Sequence, residues 1–345
     1  MVIPGPKLNQ PNWWGMVFQL RGSIVMTVLP RILAFCGLTA TLALLKSFNQ
    51  PLYLEQLGNL NSSTIYNLTL GLLVVFRTNT SYERFWSGRK AWGGLVINIR
   101  NLAREIQFGV DEPAEGTPAE DKSSEDKSSE DTPAGTHSTA KQATLRLLSA
   151  FAIATKLHLR NEANTDELKS LITPDQAQAL DPAQNRPLLI SFWIRQYLQQ
   201  QFVAGQIPAA ILANMLTLLN NLTNDVSGCE LIISTPIPIA YRLYLRRLIL
   251  IYCLTLPFRI VPESGWWAIP IMAFVSFLLM GLEELGQELE NPFGYDVNDL
   301  ALDEICQTIT RNVEMTIALT QSPAAIDPAE PLTNSSKEGG LGEII

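Results

Sequence analysis

The stretch Gly265-Trp266-Trp267-Ala268-Ile269-Pro270-Ile271-Met272-Ala273-Phe274-Val275-Ser276-Phe277-Leu278-Leu279-Met280-Gly281-Leu282 contains no ionisable side chain. A helix needs ~20 mostly apolar residues to cross the hydrocarbon core of a bilayer, and this run supplies nearly all of them. Its opening tryptophan pair suits the headgroup level, where a large ring with one polar N–H is favoured. The run marks a membrane span, and with it an integral membrane protein.

Three more stretches read the same way. Pro238 to Val261 is apolar but has Arg242, Arg246 and Arg247 crowded into its first half, Gln56 to Phe76 carries no charge, and Gly22 to Leu45 is interrupted by Arg31. Met1 to Leu20 has no basic segment leading into an apolar core and a small-residue site, so no cleaved export peptide is expected and the first apolar run stays in the membrane. Four spans put both ends of the chain on one side, together with the long connection from Arg77 to Thr235. Arg84, Arg89 and Lys90 after the second span, and the arginines of the third, make that side cytoplasmic.

The rest of the composition narrows the function. The 345 residues are 47% hydrophobic and 17% charged, with a net charge of −8. Residues 111–140 hold nine acids against two lysines, so this one segment accounts for nearly all of the excess. No basic stretch suggests nucleic acid. Cys36, Cys229, Cys253 and Cys306 are too scattered for a metal site or a disulfide framework. The two histidines, His137 and His158, leave little for histidine-based catalysis. With no nucleophile–base set or paired carboxylates beside an apolar pocket motif, an enzyme is not expected.

Within the cytoplasmic part, apolar residues recur three or four apart. Trp92, Leu95, Ile99 and Leu102 form one helical face; Leu145, Leu148, Phe151 and Ile153, then Ile194, Leu198 and Phe202, then Leu212, Leu216 and Leu219 continue the pattern. Strand-like alternation is nowhere sustained, so the fold class is an all-α membrane protein. Glu-Asp-Lys-Ser-Ser occurs twice in tandem from Glu120, and such acidic, Ser-rich sequence buries too little apolar area to fold. The organisation expected is a cytosolic N-terminal segment (1–21), two spans and the start of the cytosolic helices (22–110), a disordered acidic insert (111–140), a cytosolic helical region (141–235), two further spans (236–290), a cytosolic C-terminal helix region (291–320) and a disordered tail (321–345).

The second span holds Asn59, Asn61, Ser62, Ser63, Thr64, Asn67 and Thr69, which a lipid-facing helix has no use for, because each polar group needs a partner or water. Its first half therefore faces protein or a water-filled path. Its second half sets Leu68, Leu72 and Phe76 four apart, on one helix face. Repeated around an axis, these rows would make a hydrophobic constriction that gates by dewetting. Spacing alone equally suits ordinary helix packing.

The sequence that follows, Phe76-Arg77-Thr78-Asn79-Thr80-Ser81-Tyr82-Glu83-Arg84-Phe85-Trp86-Ser87-Gly88-Arg89-Lys90-Ala91-Trp92, resembles the bestrophin family. So do Gly228-Cys229-Glu230 with Thr235-Pro236-Ile237-Pro238 leading into span three, and Glu290-Asn291-Pro292-Phe293-Gly294-Tyr295-Asp296 with Asn298-Asp299-Leu300 after span four. The three motifs stand in family order and are closest to its prokaryotic and plant branch. The resemblance implies a homopentamer around a central pore in the lipid bilayer, four membrane helices per subunit, a cytosolic helical vestibule, and Leu68, Leu72 and Phe76 as the pore neck. It also implies passive conduction of anions, chiefly chloride. A cation-selective channel of the same architecture is the alternative, since an apolar neck does not set charge sign. A bicarbonate-handling transporter is a further reading, against which stands the lack of any repeat between spans one–two and three–four. The membrane is expected to be the cell inner membrane or a thylakoid-like internal one.

Three smaller motifs admit more than one reading. Thr235-Pro236 has the form of a helix N-cap followed by proline in the first turn, and such a helix end favours an anion nearby. Arg77, Glu83, Arg84, Arg89 and Lys90 form a charged band in which Glu83 is expected to pair with the arginines around it. Asn291, Asp296 and Asp299 are oxygen donors of the kind calcium takes. In the family's animal members this stretch is a calcium clasp, but here Val297 and Asn298 break the acidic run, and Asn-Pro-Phe-Gly is a turn signal by itself. A structural turn with no cofactor is the expectation, with a calcium-binding turn as the alternative.

Overall fold

The computed structural model describes residues 24–48, 63–111, 134–181 and 183–321, and these are helical throughout, with no strand among them. The N-terminal segment, the start of the second span, most of the acidic insert and the tail lie outside the described residues. Ten α-helices follow in order: α1 (Val25–Ser47), α2 (Thr64–Gly109), α3 (Ala134–Leu159), α4 (Asp166–Lys169), α5 (Pro174–Leu180), α6 (Arg186–Val203), α7 (Ala209–Ser234), α8 (Ile239–Ser264), α9 (Ala268–Glu288) and α10 (Leu302–Gln321). A 3-10 turn, Gly265–Trp267, joins α8 to α9. The helix α3 begins ahead of the boundary expected at 141, so the last residues assigned to the acidic insert belong to a helix.

The element that organises the rest is α2. Ser63 starts it, its hydroxyl accepting a hydrogen bond from the Tyr66 amide at 3.4 Å, and 46 residues then continue without a proline. One face is buried along nearly the whole length, through Leu70, Val74, Arg77, Ser81, Gly88, Trp92, Leu95, Ile99, Leu102 and Ile106. Steps of three and four keep that face turned one way. Its upper part joins a core with Val28, Ile32 and Phe35 of α1, Leu245, Ile249 and Cys253 of α8, and Met272 and Met280 of α9. Its lower part joins a second core with α3, α6, α7 and α10. The periodicity read from the sequence holds there, except that Phe202 is exposed rather than buried.

The two cores have opposite relations to solvent. Across the stretch Ile239–Glu288, only 22% of the most apolar window is buried, whereas a core helix of a soluble protein would be mostly buried. Leu250, Ile251 and Leu254 of α8, and Phe274, Phe277 and Leu278 of α9, project outward instead. An apolar surface this extended fits a bilayer, not water. Among the described residues, two stretches are long and apolar enough to cross, Val25–Ser47 and Ile239–Glu288, the second folded back on itself at the 3-10 turn. The fold-back is tied to α1 by Lys46, whose ammonium donates to the Val261 carbonyl at 3.1 Å and to the Pro262 carbonyl at 2.6 Å. Two tyrosines cross-link α8 and α2, with Tyr66 donating to the Leu248 carbonyl and Tyr241 to the Leu73 carbonyl.

Candidate pore-lining face and its arginine collar

Opposite the buried face of α2 lies an apolar row with none of the described residues of its own chain packed over it. Leu68 is 62% exposed, Leu72 46% and Phe76 58%, flanked by the equally exposed Ile65 and Val75. The face continues into the polar residues Asn79, Thr80 and Glu83. Glu83 does not pair with the neighbouring arginines as expected. It stands exposed, without an ion pair among the described residues, because Arg77 and Arg84 point the other way, into the protein.

Where those arginines go is the feature that sequence reasoning missed. The carboxyl end of α9 and the residue pair after it supply the acids Glu283, Glu284 and Glu290, and arginines from three other helices reach them. Arg31 of α1 meets Glu284 at 3.0 Å, Arg246 of α8 meets Glu283 at 2.8 Å, and Arg77 of α2 meets Glu290 at 3.3 Å. Arg242 approaches Glu290 at 3.8 Å, and the same carboxylate accepts the Ile237 amide at 3.1 Å. A charge at the edge of a membrane helix is tolerated when it is paired, which accounts for Arg31 in span one and for Arg242 and Arg246 in span three. The sequence held a usable signal, since an arginine inside an apolar run demands an acid and the apolar run of α9 ends in four, Glu283, Glu284, Glu288 and Glu290.

Arg84 works through backbone oxygens instead. Its guanidinium donates to the Thr235 carbonyl at 2.7 Å, to the Glu290 carbonyl at 3.3 Å and to the Ile232 carbonyl. It thereby closes the carboxyl end of α7, where carbonyls lack helical partners, and pins the junction with α8 to α2. Thr235 is not an N-cap. Its hydroxyl donates back to the Leu231 carbonyl, it is the C-cap of α7, and α8 starts only after Pro238, with no side-chain cap.

The turn containing Asn291, Asp296 and Asp299 is bound up with itself and with an arginine. Asp299 accepts the Asp296 amide at 2.8 Å, and the Asp299 amide donates to the Asp296 carbonyl at 2.9 Å. Asn291 accepts the Phe293 amide at 3.5 Å. Burial pushes the Asp299 carboxyl above its ordinary value. Arg160 donates to the Phe293 and Gly294 carbonyls at 3.1 and 3.0 Å and lies 3.9 Å from the Tyr295 ring centre. A guanidinium thus occupies the carbonyls at the head of this turn. The turn also sits hard on α2, since a Cβ at Gly88 would lie 3.0 Å from both Phe293 and Pro292. No group of three or more His, Cys, Asp or Glu among the described residues is arranged to hold a metal.

A family model described as Bacterial/Fungal Bestrophin protein matches residues 7–315. This chain belongs to the bacterial and fungal bestrophin family. It is similar to a voltage-dependent anion channel-forming protein of Nostoc sp., with 42% identity over 92% of this chain and 96% of the relative. A protein of the same description from Synechocystis sp. is 38% identical over 91% of this chain and 94% of its own length. Among solved structures, a bacterial bestrophin homologue from Klebsiella pneumoniae shares the fold, with a TM-score of 0.71 at 24% identity, covering 84% of this chain and 98% of that one. As a bestrophin, the chain is an ion channel of the membrane and not an enzyme.

Proposed function

We propose that this bestrophin is one subunit of a homopentamer that passively conducts anions, chiefly chloride, through a central pore. Each subunit contributes four membrane helices, and the upper part of α2 lines the neck with Leu68, Leu72 and Phe76. One observation carries the reading: these side chains are exposed on a helix whose opposite face is fully packed, beside an apolar surface already accounted for by lipid on α8 and α9. An apolar row that packs against none of the described residues of its own chain fits a ring of copies around an axis, where it constricts the path by dewetting. The names of the Nostoc and Synechocystis relatives support anions as the permeant species.

A cation-conducting channel of the same build is favoured by one feature, Glu83. It lies on the α2 face below Phe76 and is exposed and unpaired among the described residues, so five copies would place a ring of carboxylates beside the path. The turn at Asn291, Asp296 and Asp299 serves as a structural clasp, with Arg160 in place of a metal ion, so calcium leaves the conductance unchanged. The deciding test is a planar-bilayer recording of the purified oligomer under a KCl gradient. Reversal near the chloride potential supports the anion reading; reversal near the potassium potential, moved by Glu83→Gln, establishes the cation one. Leu72→Ala is expected to raise conductance with assembly intact, and unchanged currents in Leu68→Ala, Leu72→Ala and Phe76→Ala alike would return the row to ordinary packing.

A further inference from the structure

The collar leaves Arg247 out. Arg242 and Arg246 of α8 meet Glu290 and Glu283, and Arg31 of α1 meets Glu284. The Arg247 side chain is exposed, and its guanidinium has neither an ion pair nor a hydrogen bond among the described residues. Its place on the helix explains why. Arg246, one residue earlier, is rotated by about 100° and reaches α9. Steps of three and four from Arg247 lead instead to Leu243, Tyr244, Leu250 and Ile251, and then to Leu254, all of them exposed. Arg247 thus stands in the middle of the apolar stripe that α8 presents to lipid.

Its depth follows from the helix itself. Trp266 and Trp267, exposed on the 3-10 turn after α8, mark one membrane interface. Arg247 precedes Ser264, the end of α8, by about 17 residues, or about 25 Å at 1.5 Å per residue. The hydrocarbon core is ~30 Å thick, so the Arg247 backbone lies about 5 Å inside the opposite boundary. An arginine side chain spans that distance and carries its charge to the phosphate level of the leaflet on the collar's side. Tyr244, one turn nearer that boundary, brings a hydroxyl to the same level.

A lone cation inside an apolar stripe suits a partner that is itself amphiphilic, with an anionic head and hydrocarbon behind it. A second copy of the chain offers less. Its acids at this depth, Glu283, Glu284 and Glu290, are engaged by arginines of their own chain, and its Glu83 belongs to the α2 face assigned to the pore. A guanidinium matches a phosphate in fork geometry. A zwitterionic headgroup brings no net charge to offset the arginine, whereas an anionic one does.

We propose that Arg247, with Tyr244, holds the phosphate of an anionic phospholipid in the leaflet on the collar's side, its acyl chains lying along Leu250, Ile251 and Leu254. The site lies on α8 and stands whether or not the pore reading holds.

The test is native mass spectrometry of the full-length protein, purified in detergent and titrated with phosphatidylglycerol or phosphatidylcholine, with thermal melting in parallel. The parent is expected to hold phosphatidylglycerol more tightly and to melt higher with it. Arg247→Gln is expected to weaken phosphatidylglycerol binding about fivefold, as for one basic residue at an anionic surface, and to leave phosphatidylcholine binding unchanged. Arg247→Lys keeps the charge and is expected to retain most of the preference. Because Arg247 is exposed and unpaired among the described residues, the glutamine variant is expected to assemble and melt like the parent in lipid-free detergent. An undiminished phosphatidylglycerol preference in Arg247→Gln overturns the proposal. So does a glutamine variant that melts lower or loses assembly without lipid, which assigns Arg247 to an acid of a neighbouring copy. Inorganic phosphate that stabilises the parent as well as phosphatidylglycerol does would make the site one for a free anion and overturn the lipid assignment.

Discussion

Replacing Glu290 by Gln isolates the charge at the centre of the collar. The substitution keeps an oxygen for the Ile237 amide but removes the only carboxylate that Arg77 touches. The side chains are 1% and 9% exposed, so solvent screens the pair little. Breaking a buried pair from one side costs about 3–5 kcal/mol, because the surviving charge is left uncompensated. The 3.3 Å separation and the retained polarity of glutamine place Glu290→Gln near the lower end, about 3 kcal/mol. At about 2 °C per kcal/mol for a large chain, the melting midpoint is expected to fall by roughly 6 °C. Glu290→Ala also strands the buried Ile237 amide and adds about 1–3 kcal/mol. Removing both charges together, Arg77→Met with Glu290→Gln, keeps an acceptor for the Ile237 amide, relieves the desolvation penalty and is expected to melt above Glu290→Gln alone. The assay is thermal unfolding in detergent at fixed protein and chloride concentration, since assembly makes the midpoint concentration-dependent. A Glu290→Gln midpoint within 1 °C of the parent, or a double variant no better than the worse single one, would refute the collar as an energetic unit.

Other perturbations probe the second core, where α2 meets α3, α6, α7 and α10. Gly94→Ala would drive a Cβ to within 2.6 Å of the Asp225 carboxylate across the α2–α7 contact. The expected cost is about 1–3 kcal/mol, partly restored by Asp225→Ala in the same melting assay. Burial holds the Asp225 carboxyl above its ordinary 3.8, so the native state binds that proton more tightly than the unfolded chain. Its penalty is absent below 3.8 and complete above the raised value, so Asp225→Asn is expected to melt higher than the parent at pH 7 and to lose that advantage as the pH falls towards 3.8. The thiols of Cys229 and Cys306 are buried and pushed up to about 12, so iodoacetamide at pH 8 should leave both unmodified by mass spectrometry until the protein is unfolded. Lys141 is buried and donates to the Val110 carbonyl at 3.0 Å, tying the start of α3 to the end of α2. Replacing residues 112–133 by a short Gly/Ser linker is therefore expected to preserve assembly by gel filtration, whereas Lys141→Met lowers the melting midpoint.

What the sequence revealed and what it concealed separate along physical lines. Periodicity identified the packed face from Trp92 to Leu102 and set Leu68, Leu72 and Phe76 on one face, because both are properties of one helix and its geometry. The spans of α1, α8 and α9 announced themselves by composition. The collar did not, since Arg31 and Glu284 lie 253 residues apart and Arg77 and Glu290 lie 213 apart, and pairing at that range follows from the packing of helices. The clamp of Arg84 on carbonyl oxygens left no trace, because every residue carries such an acceptor. Thr235-Pro236 misled for a local reason: a hydroxyl serves equally to close the helix behind it as to open the one ahead. The neck assignment at Leu68, Leu72 and Phe76 drew on family resemblance, because exposure in an assembled ring is not written in the spacing.

The unbroken course of α2 has a mechanical meaning. At 1.5 Å per residue its 46 residues form a strut about 69 Å long, with no proline kink to act as a joint. Leu68 near one end and Leu102 near the other are therefore rigidly indexed to each other. In the proposed pentamer, opening and closing would be a matter of tilting or rotating whole struts, and a stimulus felt at the Leu102 end would arrive at the Leu68 end as an angle rather than as a bend.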